Sequence, residues 1–340
     1  MKSHNYHSMN SRLNSKALLS SLFLICVLAG ALYAGKQCVS SRACCEKPKF
    51  SFGLMADVQY ADKAPSGSRY YRESMGKLQQ CVQDFNNRDL KFIIQLGDLI
   101  DEDAISYDNL NRILNVYNQL KAPSYHVLGN HDFSTPESIE ESGVPAKLGL
   151  TKRFYDFSYD DFLFIVLDSL DLALRDPQSV PIGKKQQEAK RMWDLMKEGR
   201  YNKHNCNGGI GEEQFAWLKQ RLQSASSSGQ RVILFSHMPL FPANWPNLWN
   251  DVDVINLMES FDCVVAFISG HNHEGGYAIK NGIHYFSIKG IVETPDTNAY
   301  AVVKVFNNRL EIKGFGREVD RVLNFPKKPT KKTIKNNCPQ

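Results

Sequence analysis

The sequence predicts an α/β fold in which two β-sheets pack face to face with helices outside them. Two observations carry this. Strand-like and helix-like runs alternate from Lys49 to Leu128, then give way to hairpin patterning and further β-type runs. Carboxylate, amide and imidazole residues also follow directly on apolar, β-prone runs, at the strand ends where open α/β sheets place their ligands. With 42% hydrophobic and 23% charged residues, the composition excludes a disordered or fibrous chain.

In chain order, Lys49 to Asp57 reads as a strand, and Tyr70 to Asn86 as a helix with Met75, Leu78, Val82 and Phe85 on one face. Lys91 to Leu96 is a buried strand ending in Gly97-Asp98. Ile105 to Leu120 reads as a second helix, and Tyr125 to Leu128 leads into Gly129-Asn130. Phe154–Tyr159 and Phe162–Leu167 flank Asp160-Asp161 as a hairpin. The polar segment 170–210, with a helix from Lys184 to Lys197, has no counterpart in a minimal α/β unit and is expected to be a lid insertion. Gly211 to Leu222 is helical, Val232 to Phe235 and Val264 to Ile268 are strands, and three β-type runs from Tyr277 end near Gly316.

The expected organisation is an N-terminal targeting segment (1–34), a linker (35–48), one catalytic domain (49–320) and a basic tail (321–340). Ala17 to Ala34 is a largely apolar stretch without a charged residue. It reads either as a signal peptide, cleaved at the small-x-small site Ala29-Gly30-Ala31, or as a retained membrane anchor at the lower length limit. An exported or membrane-anchored protein is expected, with membrane association through residues 17–34. The eight cysteines include no C-x-x-C pair, which argues against a zinc knuckle. The net charge of +5 is concentrated at the ends, and residues 50–320 carry about −7. That sign argues against a nucleic-acid-binding core and suits a site that gathers cations.

Five islands carry the chemistry: Asp57-Val58-Gln59, Gly97-Asp98, Gly129-Asn130-His131-Asp132, Ser236-His237 and Gly270-His271-Asn272-His273. Oxygen and nitrogen donors without sulfur suit Mn, Fe, Zn or Mg. Two metals about 3.5–4 Å apart need a bridging carboxylate, for which Asp98 is the candidate. His237, His271 and His273 supply imidazoles, Asp57 a carboxylate, and Asn130 and Gln59 amide oxygens. Gly270 lets the chain turn so that His271 and His273 face different metals.

The series resembles the calcineurin-like metallophosphoesterases, whose blocks run Asp-x-His/Gln, Gly-Asp, Gly-Asn-His-Asp/Glu, a strand-terminal His and Gly-His-x-His. Within them it is similar to the manganese-dependent ADP-ribose/CDP-alcohol diphosphatases, through Tyr70-Tyr71-Arg72, Asn207 to Gly211, Gly270 to Tyr277 and Gly290 to Pro295. The resemblance covers roughly residues 50–318. It implies a four-layer α/β/β/α sandwich of two mixed sheets and two divalent metal ions, with Mn²⁺ favoured over Fe, Zn or Mg. It assigns Asp57, Gln59, Asp98 and His273 to one metal, and Asp98, Asn130, His237 and His271 to the other. His131 becomes the residue that stabilises the transition state or protonates the leaving oxygen, with Asp132 orienting its ring. The implied reaction is attack on phosphorus by a metal-bridging hydroxide. Asp101 stands where purple acid phosphatases carry Tyr, and Gln59 replaces the commoner His with a harder oxygen donor.

The expected substrate is a small nucleotide conjugate such as ADP-ribose or a CDP-alcohol, with no nucleic-acid partner and a monomeric enzyme. Phe241, Trp245 and Trp249 are candidates for a surface on which a base stacks. The competing expectations are a broad phosphodiesterase or phosphomonoesterase and a non-catalytic, membrane-tethered scaffold. Intact islands and His131 argue against the scaffold.

Overall fold

A computed structural model describes residues 46–101, 107–133, 143–174 and 183–326. The apolar stretch 17–34, nearly all of the expected linker and residues 327–340 of the tail lie outside the described residues. Contacts divide the chain into Met1–Lys47 and Pro48–Gln340.

One six-stranded sheet contains β1 (Phe50–Met55), β2 (Ile93–Gln95), β3 (Ser124–His126), β12 (Ala299–Val305), β13 (Arg309–Gly316) and β14 (Arg321–Asn324), in the order β14-β13-β12-β1-β2-β3. The other contains β4 (Tyr155–Tyr159), β5 (Phe162–Val166), β8 (Arg231–Ser236), β9 (Val264–Ser269), β10 (Gly276–Lys280) and β11 (Ile283–Ser287), in the order β10-β11-β9-β8-β5-β4. Both sheets are mixed. β1, β2 and β3 run parallel beside antiparallel β12. β5, β8, β9 and β11 run parallel, with antiparallel β4 and β10 at the edges.

Period-two alternation builds the four layers. Phe50, Phe52 and Leu54 of β1 turn inward against Phe162, Phe164 and Val166 of β5 and Phe235 of β8. Phe52 stacks on Phe92 at 4.9 Å, and Phe92 meets the edge of Phe164 at 5.0 Å, so aromatic rings fill the inter-sheet space. Opposite faces go to helices. Gly53 presents so little bulk that Phe85 of α1 (Glu73–Asn86) packs directly over it, where an added Cβ would lie 2.8 Å away. α2 (Asp108–Tyr117) lies beside α1, and α5 (Glu212–Ser228) covers β8. The remaining described helices are α3 (Val144–Lys147), α4 (Lys184–Leu195) and α6 (Asp251–Glu259).

The sequence reading needs four corrections. Its domain boundary at 320 is too early, because β14 pairs with β13 and buries Leu323 and Phe325. Four strands, not three, lie between Gly276 and Gly316, since short hairpins divide the apolar runs. α5 outlasts Leu222 because nothing breaks the helix before Gly229, whose φ of 74° supplies its left-handed C-terminal stop. α6 went unrecognised. Asp251 and Asp253 favour its N-terminus, and Val254, Ile255, Leu257 and Met258 anchor it.

The described part of segment 170–210 holds α4 and a two-stranded ribbon of β6 (Leu172–Ala173) and β7 (Gly208–Gly209). It has its own small core of Leu172, Leu174, Ala189 and Met196 around Trp249.

Candidate metal centre

All five islands follow the carboxyl ends of parallel strands, three from one sheet and two from the other. Asp57 and Gln59 follow β1, Asp98 follows β2, and Asn130 to Asp132 form a 3₁₀ turn after β3. His237 follows β8 directly, and His271 and His273 follow β9. The chain must bend sharply to return these side chains to one point. Asp57, Gln59, Asp98 and His271 all have left-handed φ, between 43° and 61°. Such conformations cost about 1–3 kcal/mol each and persist only where the surroundings enforce them. Here backbone bonds do so: Asp57 N–H donates to Gly97 O at 3.1 Å, Gln59 N–H to Asp98 O at 2.9 Å, and Val292 N–H to Asp57 O at 2.9 Å. Gly129 is required for a different reason. A Cβ there would lie 2.1 Å from Asp98 Oδ1 and 2.4 Å from Asp98 N.

The structure brings all seven predicted ligands together. Asp98 Oδ2 lies 3.2 Å from His237 Nε2 and accepts from Gln59 Nε2 at 3.0 Å. His237 Nε2 also lies 3.2 Å from Asn130 Oδ1 and 3.1 Å from His271 Nδ1. His273 Nε2 lies 3.4 Å from Asp57 Oδ1 and 3.3 Å from Gln59 Nε2. His271 and His273 thus face different ligand groups. Among the described residues, Asp98, His237 and His271 each offer a ligand atom within 4.8 Å of the others.

The outer partners of these side chains show that the cluster fits cations. Leu96 O lies 2.8 Å from His237 Nδ1, so the proton belongs there and the Nε2 lone pair turns inward. Asn207 donates through Nδ2 to Asn202 O and Trp245 O, which leaves its Oδ1 to accept from His271 Nε2 at 3.1 Å. The His271 Nδ1 lone pair therefore also turns inward. Glu293 Oε1 holds His273 Nδ1 at 2.7 Å, and Nε2 faces Asp57. Acceptor atoms facing one another at such distances need a positive charge between them. Gln59 Oε1 is buried without a hydrogen-bond partner, and turning the amide over would bring this oxygen into the site as a ligand.

The electrostatics agree. Burial opposes charge on His237, but Asp98 outweighs it and raises the imidazole to about 9. Burial likewise opposes charge on His273, and Asp57 raises it to about 9. His271 is held well below its ordinary value, first by burial and then by His237. Burial works against the Asp98 carboxylate, yet His237 and His131 hold it below its usual range. Glu293 is lowered to about 2, chiefly by its hydrogen bond from His273. A field that keeps protons on buried imidazoles is one in which metal cations can replace them.

Asp132 does not orient His131, contrary to the sequence reading. Its carboxylate accepts backbone N–H groups from Asp98 at 3.0 Å, Leu99 at 2.8 Å and Gly129 at 2.8 Å, tying two ligand loops together. The 3₁₀ turn folds it back onto these donors and away from the ring. Asp101 takes the expected place, with Oδ1 2.6 Å from His131 Nδ1 and Lys63 on its other oxygen. Burial works to lower His131, but Asp98 and Asp101 outweigh it, and the imidazole is raised. The sequence reading also assigned no role to Glu293 or Asn207. Both lie in Gly-rich segments noted for their resemblance, which was the available signal. Of the three aromatic candidates, Trp249 is fully buried and Phe241 packs against Tyr285 at 5.4 Å. Trp245 is 48% exposed, and its ring lies 5.9 Å from that of His271.

Comparison with known proteins follows the same lines. The family model described as "Calcineurin-like phosphoesterase" matches residues 50–275. A mouse protein named manganese-dependent ADP-ribose/CDP-alcohol diphosphatase is 32% identical, over 86% of this chain and 98% of its own. An Arabidopsis thaliana protein of the same name is 33% identical, over 80% of this chain and 96% of its own. The crystal structure of a dimetal phosphatase from Danio rerio superposes with a TM-score of 0.72 at 29% identity, covering 82% of this chain and all of that one. With the two mixed sheets and the convergent strand-end ligands, these matches show that the chain belongs to the calcineurin-like phosphoesterases and is a metal-dependent hydrolase.

Proposed function

We propose that this enzyme is a manganese-dependent diphosphatase that splits the pyrophosphate bond of nucleotide conjugates such as ADP-ribose or CDP-alcohols. The observation that carries this reading is the placement of Trp245. Its half-exposed ring lies 5.9 Å from that of His271, close enough for a nucleobase to stack on it while its phosphates reach the ligand cluster. The hydrogen bond from Asn207 to Trp245 O at 2.6 Å fixes the loop relative to His271. The mouse and Arabidopsis relatives support the same substrate class and metal by name.

Two metal ions held by Asp57, Gln59, Asp98 and His273 and by Asp98, Asn130, His237 and His271 would acidify a water and screen the phosphoryl charge. The remaining work falls to the protein. His131 stands at the rim, its side chain 18% exposed, with Nδ1 held by Asp101 and Nε2 left to give a proton to the departing oxygen. Asp132 keeps the Asp98 and Gly129 loops in register, so that the shared carboxylate does not drift.

The test is product analysis with Mn²⁺-loaded protein and ADP-ribose, CDP-choline, ADP-glucose and p-nitrophenyl phosphate. AMP with ribose 5-phosphate, and CMP with phosphocholine, are the expected products. Preferential release of inorganic phosphate from the monoester would replace this reading with that of a general phosphomonoesterase. We also place the enzyme outside the cytosol or on a membrane. The apolar run 17–34 and the Ala29-Gly30-Ala31 site support this, and N-terminal sequencing of the mature protein tests it.

A further inference from the structure

Residues 66–69 form a tight turn, and the chain leaving it is pinned beside residues 292–294. Ser66 and Arg69 exchange backbone hydrogen bonds at 3.0 Å, Tyr70 N–H donates to Val292 O at 2.9 Å, and Thr294 N–H donates to Ser68 O at 3.1 Å. Arg69 and Glu293 are directly opposed in an antiparallel bridge. Opposed residues in such a pair carry their side chains on the same face. The Glu293 side chain reaches His273, so Arg69 projects from the face that borders the metal centre.

The neighbouring cations are committed elsewhere. Lys63 pairs with Asp101, Lys77 donates to Glu293 O and Thr294 O, and Arg317 donates to Gly290 O. Arg69 is partly buried, and its guanidinium makes no hydrogen bond or ion pair with any described residue. Its charge is nevertheless felt at His131, His273 and Cys206, three groups around the site. An unpaired guanidinium of this kind, in an acidic core, has an anion as its natural partner.

We propose that Arg69 binds the phosphoryl group of the substrate that is not attacked, and so makes the site select diphosphates over substrates with one phosphoryl group. This rests on the diphosphatase reading and names the residue that would enforce it. In the reaction, water oxygen joins the attacked phosphorus, the P–O bond to the second phosphoryl group breaks, and the bridging oxygen leaves with that group and takes up a proton. Negative charge grows on the leaving phosphate, one bond away from the groups that hold the attacked one. A planar guanidinium can meet two of its oxygens at once, which an ammonium cannot. A substrate with a single phosphoryl group has nothing to offer it.

The experiment compares full-length Mn²⁺-loaded wild type, Arg69→Met and Arg69→Lys on ADP-ribose and on bis(p-nitrophenyl) phosphate, with metal content measured for each. The ratio of kcat/KM for ADP-ribose to that for the diester should fall about ten- to a hundredfold in Arg69→Met, the effect of one lost charge-assisted contact. Arg69→Lys should recover part of the ratio, and added guanidinium should restore some activity to Arg69→Met. Calorimetry with the α,β-methylene analogue of ADP-ribose should show weakened binding, while AMP binding changes much less. An unchanged ratio, or an equal loss on both substrates, overturns the proposal. Wild-type enzyme that leaves both ADP-ribose and CDP-choline intact would instead defeat the diphosphatase reading, and the role of Arg69 with it.

Discussion

Exchanging the two carboxylates near His131 gives the sharpest test of the site. The contact at 2.6 Å assigns Asp101 to the imidazole, whereas Asp132 is consumed by three backbone N–H groups. Asp101→Asn keeps the shape and an acceptor but removes the charge. An exposed ion pair contributes about 0–1 kcal/mol and breaking a buried one costs about 3–5, so losing the charge from this contact at the rim should cost about 1–2 kcal/mol. If the ring loses that much orientation, kcat should fall about five- to thirtyfold, with KM and metal content nearly unchanged. Asp132→Ala should behave differently. It leaves buried N–H groups of Asp98, Leu99 and Gly129 unpaired, at about 1–3 kcal/mol each, and frees the loop that carries Asp98. Metal content and the unfolding midpoint should both drop before any separate effect on chemistry appears. Steady-state kinetics with metal analysis on the purified variants decides the matter. A silent Asp101→Asn, beside an Asp132→Ala that keeps its metal and stability yet loses kcat, would refute the assignment.

Three further outcomes follow from the structure. His126 is buried in β3 with its ring 4.8 Å from that of Tyr117, and burial lowers it from 6.5 to about 4. The unfolded chain therefore takes up this proton first as pH falls, and about 2 kcal/mol of stability should be lost between pH 7.5 and 5; urea unfolding of wild type and His126→Phe should show a smaller acid loss in the variant, and parallel curves would exclude the effect. Gly129→Ala should weaken Mn²⁺ binding at least about tenfold, because the new methyl meets Asp98 Oδ1 and the Asp98 backbone; equilibrium dialysis measures it. Metal-stripped enzyme should recover best with Mn²⁺, and Gln59→His should shift recovery towards Zn²⁺, since the change trades an oxygen for an imidazole; full recovery of the wild type with Zn²⁺ and little with Mn²⁺ would contradict the role given to Gln59.

Much of the architecture was legible because strand and helix periods are local. Phe50, Phe52 and Leu54 alternate visibly, and Leu78, Val82 and Phe85 repeat at helical spacing whatever they pack against. The ligands were legible for a related reason, since each ends a run that buries itself. What stayed hidden depends on distant partners. β14 is short and half polar, and only its pairing with β13 makes it a strand. Trp245 and Trp249 lie four residues apart in one loop. Only the small core contributed by residues 172–196 decides which of them is covered.

The same logic explains why Asp132 looked catalytic and Asp101 did not. Next to a histidine in sequence, a carboxylate seems its natural partner, but adjacency does not settle which donors it meets. In a 3₁₀ turn the third side chain folds back over the turn's own start, where Gly129 N–H is unsatisfied and the bend after β2 presents two more donors. These N–H groups are buried, and leaving them unpaired costs more than leaving a partly exposed imidazole to another acceptor. Asp132 is therefore drawn to the backbone, and the ring is left to a carboxylate from a different loop. Asp101 can serve because the left-handed turn at Asp98 redirects the chain and lays it parallel beside Gln59 and Tyr60, with Asp101 N–H donating to Tyr60 O at 3.1 Å. The strained backbone that aims the ligands thus also delivers the group that holds His131, so a change that relaxes the turn at Asp98 should disturb metal binding and proton transfer together.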